Sequence, residues 1–139
     1  MLIQIIYVSR ASSSMPLELR DILASSRKNN PALDVSGALC LIDGVYLQYL
    51  EGEAATVDAL YRKIEKDTRH SATKVLSRCA ISTRAFPTWA MALLTWNEET
   101  KQIFRQFNPD VKLDAFLVNP LTADKLLRTW ATTSNWMTV

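Results

Sequence analysis

The amino-acid sequence predicts an α+β fold, a ferredoxin-like sandwich with the element order β-α-β-β-α-β-β and both helices on one face of the sheet. Three observations predict it. Segments rich in β-branched and aromatic residues recur through the first 96 positions, and two segments with apolar residues at helical spacing separate them. Asp43-Gly44 then marks a tight hairpin between the second and third strands.

The first strand is expected over residues 2–9, ending at the polar stretch Ser12-Ser-Ser14. A helix follows, with Pro16 suited to its first turn and Leu19, Ile22, Leu23 and Ser26 on one face, until Asn29-Asn-Pro31 stops the pattern. Residues 35–42 and 45–50 flank the hairpin turn. The second helix carries Val57, Leu60, Tyr61 and Ile64 on one face, with Arg62, Lys63 and Lys66 near its end, where the helix dipole favours cations. Strands at 74–83 and 90–96, joined by a loop containing Phe86-Pro87, complete the order.

Such an antiparallel sheet, with both helices on one side, leaves its other apolar face needing a cover. Residues 97–139 can supply it, through a short helical pattern at 98–107, a break at Asn108-Pro109 and a second helix near 122–132 carrying Leu126, Leu127 and Trp130. The same residues could instead pack on a neighbouring subunit. The expected division is therefore a functional domain at 1–96 and a helical extension at 97–139.

Composition narrows the function. The chain of 139 residues suffices for one core of ordinary size, and its 48% hydrophobic share with three glycines is that of a packed globular protein. Sixteen basic and fourteen acidic residues are interspersed, giving a net charge of +2, which argues against binding driven by the charge of nucleic acid or a membrane surface. The apolar first strand lacks a basic start and a cleavage site and is too short to span a bilayer, so a cytoplasmic location is expected. Cys40 and Cys79 each sit in an apolar strand-like run, as buried thiols do. There is a single histidine, and no glycine-rich phosphate loop, nucleophile elbow or metal-ligand cluster. Catalysis by the chain's own side chains is not expected, and His70 by itself reads as a structural hydrogen-bonding residue.

One polar side chain breaks the pattern. Gln48 interrupts Tyr46-Leu-Gln-Tyr-Leu50 in what should be a central strand, where a buried primary amide must find partners for its donors and its acceptor. It could bond a neighbouring side chain or face water. In the predicted topology the first and third strands are neighbours, so Tyr7 can lie close to it.

Ile6-Tyr-Val-Ser9, Arg27-Lys-Asn-Asn-Pro31, Val35-Ser-Gly-Ala-Leu39, Leu47-Gln-Tyr-Leu-Glu-Gly-Glu53, Asp67-Thr-Arg-His70 and Phe86-Pro-Thr-Trp-Ala-Met91, in this order and spacing, resemble the BLUF family of blue-light sensors that use FAD. The resemblance spans residues 2–96. It implies that the flavin ring lies between the two helices over the first and third strands, with Ile22 and Ile64 against its faces, Asn30 bonded to its polar pyrimidine edge and Lys63 nearby. Asp67 and His70 join Tyr7 and Gln48 among the implied FAD-binding residues.

The family's mechanism, carried over, has Tyr7 supply an electron and a proton to the excited flavin while Gln48 relays the proton, and the pair then recombines. What remains is a Gln48 amide rotated or tautomerised, newly bonded at the flavin carbonyl and N5 edge, with absorption shifted slightly to the red. Trp89 and Met91, two apart in the last predicted strand and so expected on one face, would pass the change outward with help from Ser9. The resemblance further implies a separate downstream protein as receiver, a homo-oligomer, and no cyclase or phosphodiesterase activity in this chain. A dark-acting electron-transfer flavoprotein or a flavin-free binding module could use the same sandwich.

Overall fold

A computed structural model describes residues 1–11, 16–67, 70–86, 89–110 and 112–137, with the backbone alone at 16–20 and 70. The polar stretch Ser12-Ser-Ser14 lies outside the described residues. The elements are β1 (Leu2–Ala11), α1 (Pro16–Asn29), β2 (Ser36–Ile42), β3 (Val45–Glu53), α2 (Ala54–Glu65), β4 (His70–Ala80), β5 (Ala92–Leu94), α3 (Glu98–Phe107), α4 (Ala123–Ala131) and β6 (Trp136–Met137). They build one sheet in the order β4-β1-β3-β2-β5-β6. The first four of these are the antiparallel ferredoxin-like core, while β5 adds to β2 in parallel.

Strand alternation sorts the core into two layers. Ile3, Ile5 and Tyr7 of β1, with Tyr46 and Leu50 of β3 and Leu39 of β2, pack with Leu23 of α1 and Val57 of α2. Their neighbours Ile6, Val8, Leu47, Tyr49, Ala38 and Cys40 point the other way, onto Phe104 of α3 and Leu126, Leu127 and Trp130 of α4. Both early helices thus share one face, and the C-terminal helices cover the other. Trp130 is fully buried and donates its indole N–H to the Thr100 carbonyl at 3.2 Å, which ties α4 to α3. Asn97 and Thr100 cap the start of α3 by exchanging side-chain and backbone bonds.

The turn at Asp43 and Gly44 has φ of 48° and 77°, as a two-residue hairpin of twisted strands requires. Gly37 meets a different demand, because a Cβ there would stand 2.1 Å from the Tyr49 carbonyl oxygen. Gly37→Ala is expected to destabilise the fold by about 2 kcal/mol or more through forced separation of β2 from β3. A lower denaturant midpoint at unchanged slope would register it.

Three expectations differ from the structure, and one strand is additional to them. β4 occupies His70–Ala80, earlier than 74–83, because β1 runs on to Ala11 and pairs it with His70, while Ile3 pairs with Ala80 near the other end. β5 is only Ala92–Leu94 instead of 90–96, since bends at Ala90 and Met91 delay its pairing with β2. β6 was not expected: Trp136 and Met137 become a strand only by pairing with the free edge of β5. Cys79 is exposed, because β4 is an edge strand, whereas Cys40 is buried and burial pushes its thiol pKa up.

Candidate functional site

A cavity of about 230 Å³ opens between α1, α2 and the helix-bearing face of the sheet. Each element contributes through its own period. Ile22, Ser25, Ser26 and Asn29 recur at i, i+3, i+4 and i+7 along α1, and Leu60, Lys63, Ile64 and Asp67 do the same from α2 into the turn that follows it. Tyr7 and Ser9 alternate along β1, as do Tyr46, Gln48 and Leu50 along β3, with Leu39 from β2 and Asn30 from the end of α1 completing the lining.

Tyr7 and Gln48 are directly opposite in the β1–β3 ladder, and the buried Tyr7 hydroxyl donates to Gln48 Oε1. The other end of the same amide, Nε2, donates to Met91 Sδ at 3.6 Å. Gln48 therefore joins a phenol in the cavity wall to a thioether on the segment entering β5. The Tyr7 ring meets Tyr61 edge-on at 5.1 Å. Burial, then Tyr61 and Asp67, hold the Tyr7 pKa well above its usual value. A raised pKa means the neutral phenol's share of stability is complete below the unfolded value of about 10 and is lost only as pH climbs past it toward the folded pKa. Tyr7 thus keeps its proton throughout the neutral range.

Asn30 is buried and donates its side-chain amide to the Ala90 carbonyl at 2.8 Å, while Gly37 N–H reaches the Trp89 carbonyl at 3.1 Å. These bonds from α1 and β2 hold the bends that precede β5.

Of the residues singled out from the sequence, Tyr7, Ser9, Ile22, Asn30, Gln48, Lys63, Ile64 and Asp67 all line the cavity. The side chain of His70 lies outside the described residues. Met91 sits on the same layer and touches Gln48. Trp89 does not share that face: it packs on the opposite layer, with its ring 5.3 Å from Phe86 and 5.6 Å from Trp136. The expected alternation of Trp89 and Met91 fails because both precede β5, in bent backbone where a two-residue period has no force. Ser25, Ser26, Asn29, Leu39, Tyr46, Leu50 and Leu60 also line the cavity without having been singled out as site residues. Helical spacing from Ile22 and Ile64, and strand alternation from Gln48, would have found all but Leu39, which the pairing of β2 with β3 sets opposite Gln48.

Among the described residues no group of His, Cys, Asp and Glu could hold a metal ion, and no helix is long and apolar enough to cross a membrane.

A family model described as "BLUF: Sensors of blue-light using FAD" matches residues 2–92. The chain is 31% identical over 104 residues to photoactivated adenylate cyclase subunit beta of Euglena longa, covering 74% of this chain and 12% of that protein. It spans about an eighth of that relative's length. Among solved structures it resembles BlsA in its photo-activated state, with TM-score 0.88 and 27% identity over 97% of this chain and 98% of that one. It also resembles the dark state of BlrB, a BLUF protein, with TM-score 0.75 and 26% identity over 93% of each chain.

Proposed function

The chain belongs to the BLUF family, the sensors of blue light using FAD, and on that premise we propose that Tyr7 and Gln48 form its light-operated switch and that it signals to a separate protein. The observation that carries this is the single amide bonded at one end to Tyr7 in the cavity and at the other to Met91 outside it.

The lining suits FAD. Ile22 and Ile64, one from each helix, offer aliphatic surface for a flat ring, and the amides of Asn30 and Gln48 offer donors and acceptors to an edge that carries both. Lys63 and Asp67 add charged groups at the same cavity. When bound, FAD supplies the absorption of blue light and the oxidising power of its excited state.

The residues do the rest. With FAD bound as electron acceptor, Tyr7 would give up an electron together with its Oη proton, Gln48 would carry that proton, and both would return to Tyr7, so that no net oxidation would remain. Gln48 is left turned or tautomerised. An amide suits this role because its donor and acceptor lie on one planar group and exchange places when it reverses, which an ionised carboxylate cannot do. A turned Gln48 takes Nε2 away from Met91 Sδ, and a tautomerised one leaves a single hydrogen on Nε2; in either form that contact changes, and Met91 shifts against the segment that leads to Trp89 and the C-terminal helices. Residues 1–96 act as the sensor in this scheme and 97–139 as the part that meets the receiver. The chain itself catalyses no reaction; cyclase activity, named for the Euglena longa relative, is not part of the proposal.

Illumination of FAD-loaded protein tests the function. A small red shift that reverses fully in the dark is expected. Lasting bleaching would point instead to an electron-transfer flavoprotein, and a chain that cannot be loaded with FAD to a binding module. Asn30→Ala is expected to weaken FAD binding by about tenfold, the worth of one or two hydrogen bonds, and equilibrium titration measures it.

A further inference from the structure

We propose that Glu51 is a positioning residue of the switch: its buried carboxylate fixes residues 84–86, so that movement set off at Gln48 is confined to the neighbouring stretch 89–91. The proposal rests on the photosensory function above.

Glu51 follows Gln48 by three positions on β3, so its side chain emerges on the opposite face of the sheet, beneath the C-terminal helices. It is fully buried. Its Oε1 accepts the Ala85 N–H at 2.7 Å, and its Oε2 accepts the Phe86 N–H at 2.6 Å and the Ser36 hydroxyl at 3.0 Å. Arg84 closes the arrangement from outside, donating to the Ser36 hydroxyl at 3.0 Å and to the Asp34 carbonyl at 2.7 Å. Three donors converging on two oxygens require a group that only accepts, which an ionised carboxylate is and an amide is not. A charge is costly to bury, and this one is spent on two successive backbone amides of an irregular segment.

The stretch 89–91 is held quite differently. At Ala90 and Met91 its hydrogen bonds come from the cavity side, Asn30 to the Ala90 carbonyl at 2.8 Å and Gln48 to Met91 Sδ at 3.6 Å, while Trp89 accepts from Gly37 N–H at 3.1 Å and donates to the Phe86 carbonyl at 3.2 Å. Two of the three donors that reach this stretch from other elements belong to cavity-lining side chains. Residues 84–86 are therefore clamped by the strand that carries the switch, Ala90 and Met91 depend on the cavity wall and the switch itself, and Trp89 is the joint between them. Phe86, immobilised by Glu51, stands 5.2 Å from Tyr49 and 5.3 Å from both Trp89 and Trp136. It is a fixed surface over which Trp89 can slide against β6.

Residue-resolved hydrogen exchange by NMR, on the FAD-loaded chain in darkness and under steady blue light, tests this. In wild type, the amides of Ala85 and Phe86 should keep their dark exchange rates under light while the Met91 amide exchanges about tenfold faster, as expected when one buried contact is lost. Light-induced loosening of Ala85 and Phe86 in step with Met91 would overturn the proposal. Glu51→Gln sets a donor against one of the two amides, so it should keep the red shift but speed exchange at Ala85 or Phe86 about tenfold already in the dark, with Glu51→Asp recovering part of the protection. Wild-type protection in Glu51→Gln would also overturn it; should that variant fail to fold, the wild-type comparison decides. A wild type without any red shift would remove the photosensory function and this proposal together, whereas a red shift with a loosened 85–86 removes this proposal alone.

Discussion

In the Tyr7→Phe variant the light-induced red shift is expected to vanish while FAD remains bound. The substitution deletes one oxygen and the bond it donates to Gln48 Oε1, and leaves the ring against Tyr61 and the cavity its shape. Gln48 Oε1 loses its phenolic partner at a cost of about 1–3 kcal/mol, a fraction of what a domain of this size can spare. What disappears is the only group in the proposed switch that gives up both an electron and a proton. Burial holds the Tyr7 phenol in its protonated form, so wild type has that proton in place at any pH near neutrality. Absorption spectra before and after illumination are the readout. A shift of wild-type size in Tyr7→Phe would mean that the electron and proton come from elsewhere.

Gln48→Ala is expected to abolish the red shift as well, and for a second reason. It removes the partner of the Tyr7 hydroxyl and the donor to Met91 Sδ in one step, so both the relay and its outlet are gone. The Tyr7 hydroxyl loses its bond to Oε1 inside a buried wall. A stability loss of about 1–3 kcal/mol is expected, from that bond and the cavity left by the side chain, and thermal unfolding measures it. FAD should still bind, because Ile22, Asn30, Ile64 and Lys63 are untouched. The two variants separate the halves of the switch: hydrogen exchange at Met91 should rise in the dark in Gln48→Ala and stay near wild type in Tyr7→Phe. A preserved red shift in Gln48→Ala would refute the role assigned to the amide.

What local chemistry decides was legible in the sequence. The Asp43-Gly44 hairpin, the stop of α1 before Pro31, the apolar stripe of α2 and the helix at 98–107 each follow from residues adjacent in the chain, and each stands where its pattern put it. The opposition of Tyr7 and Gln48 needed only the strand order in addition. What depends on distant partners was not legible. Bonds from Asn30 and Gly37 hold the bends at 90–91, and those bends send Trp89 and Met91 to opposite layers against the period of an unbroken strand. The length of β4 is set by its partner β1, with two irregularities in the register and Ala72 at a φ of 55° taking up the mismatch. In the sequence Glu51 is only one member of the motif Leu47-Gln-Tyr-Leu-Glu-Gly-Glu53. Only the return of residues 84–86 over it turns it into a buried acceptor.

In the proposed switch, light rearranges the amide of Gln48. Light-minus-dark infrared spectroscopy on FAD-loaded protein carrying isotope-labelled glutamine tests it most directly, with Gln48→Ala as the reference that isolates this residue from the other glutamines. A label-sensitive side-chain amide band should appear with the red shift, decay in the dark at the same rate, and be missing in Gln48→Ala. A red shift that forms and decays in wild type with no such band would contradict it.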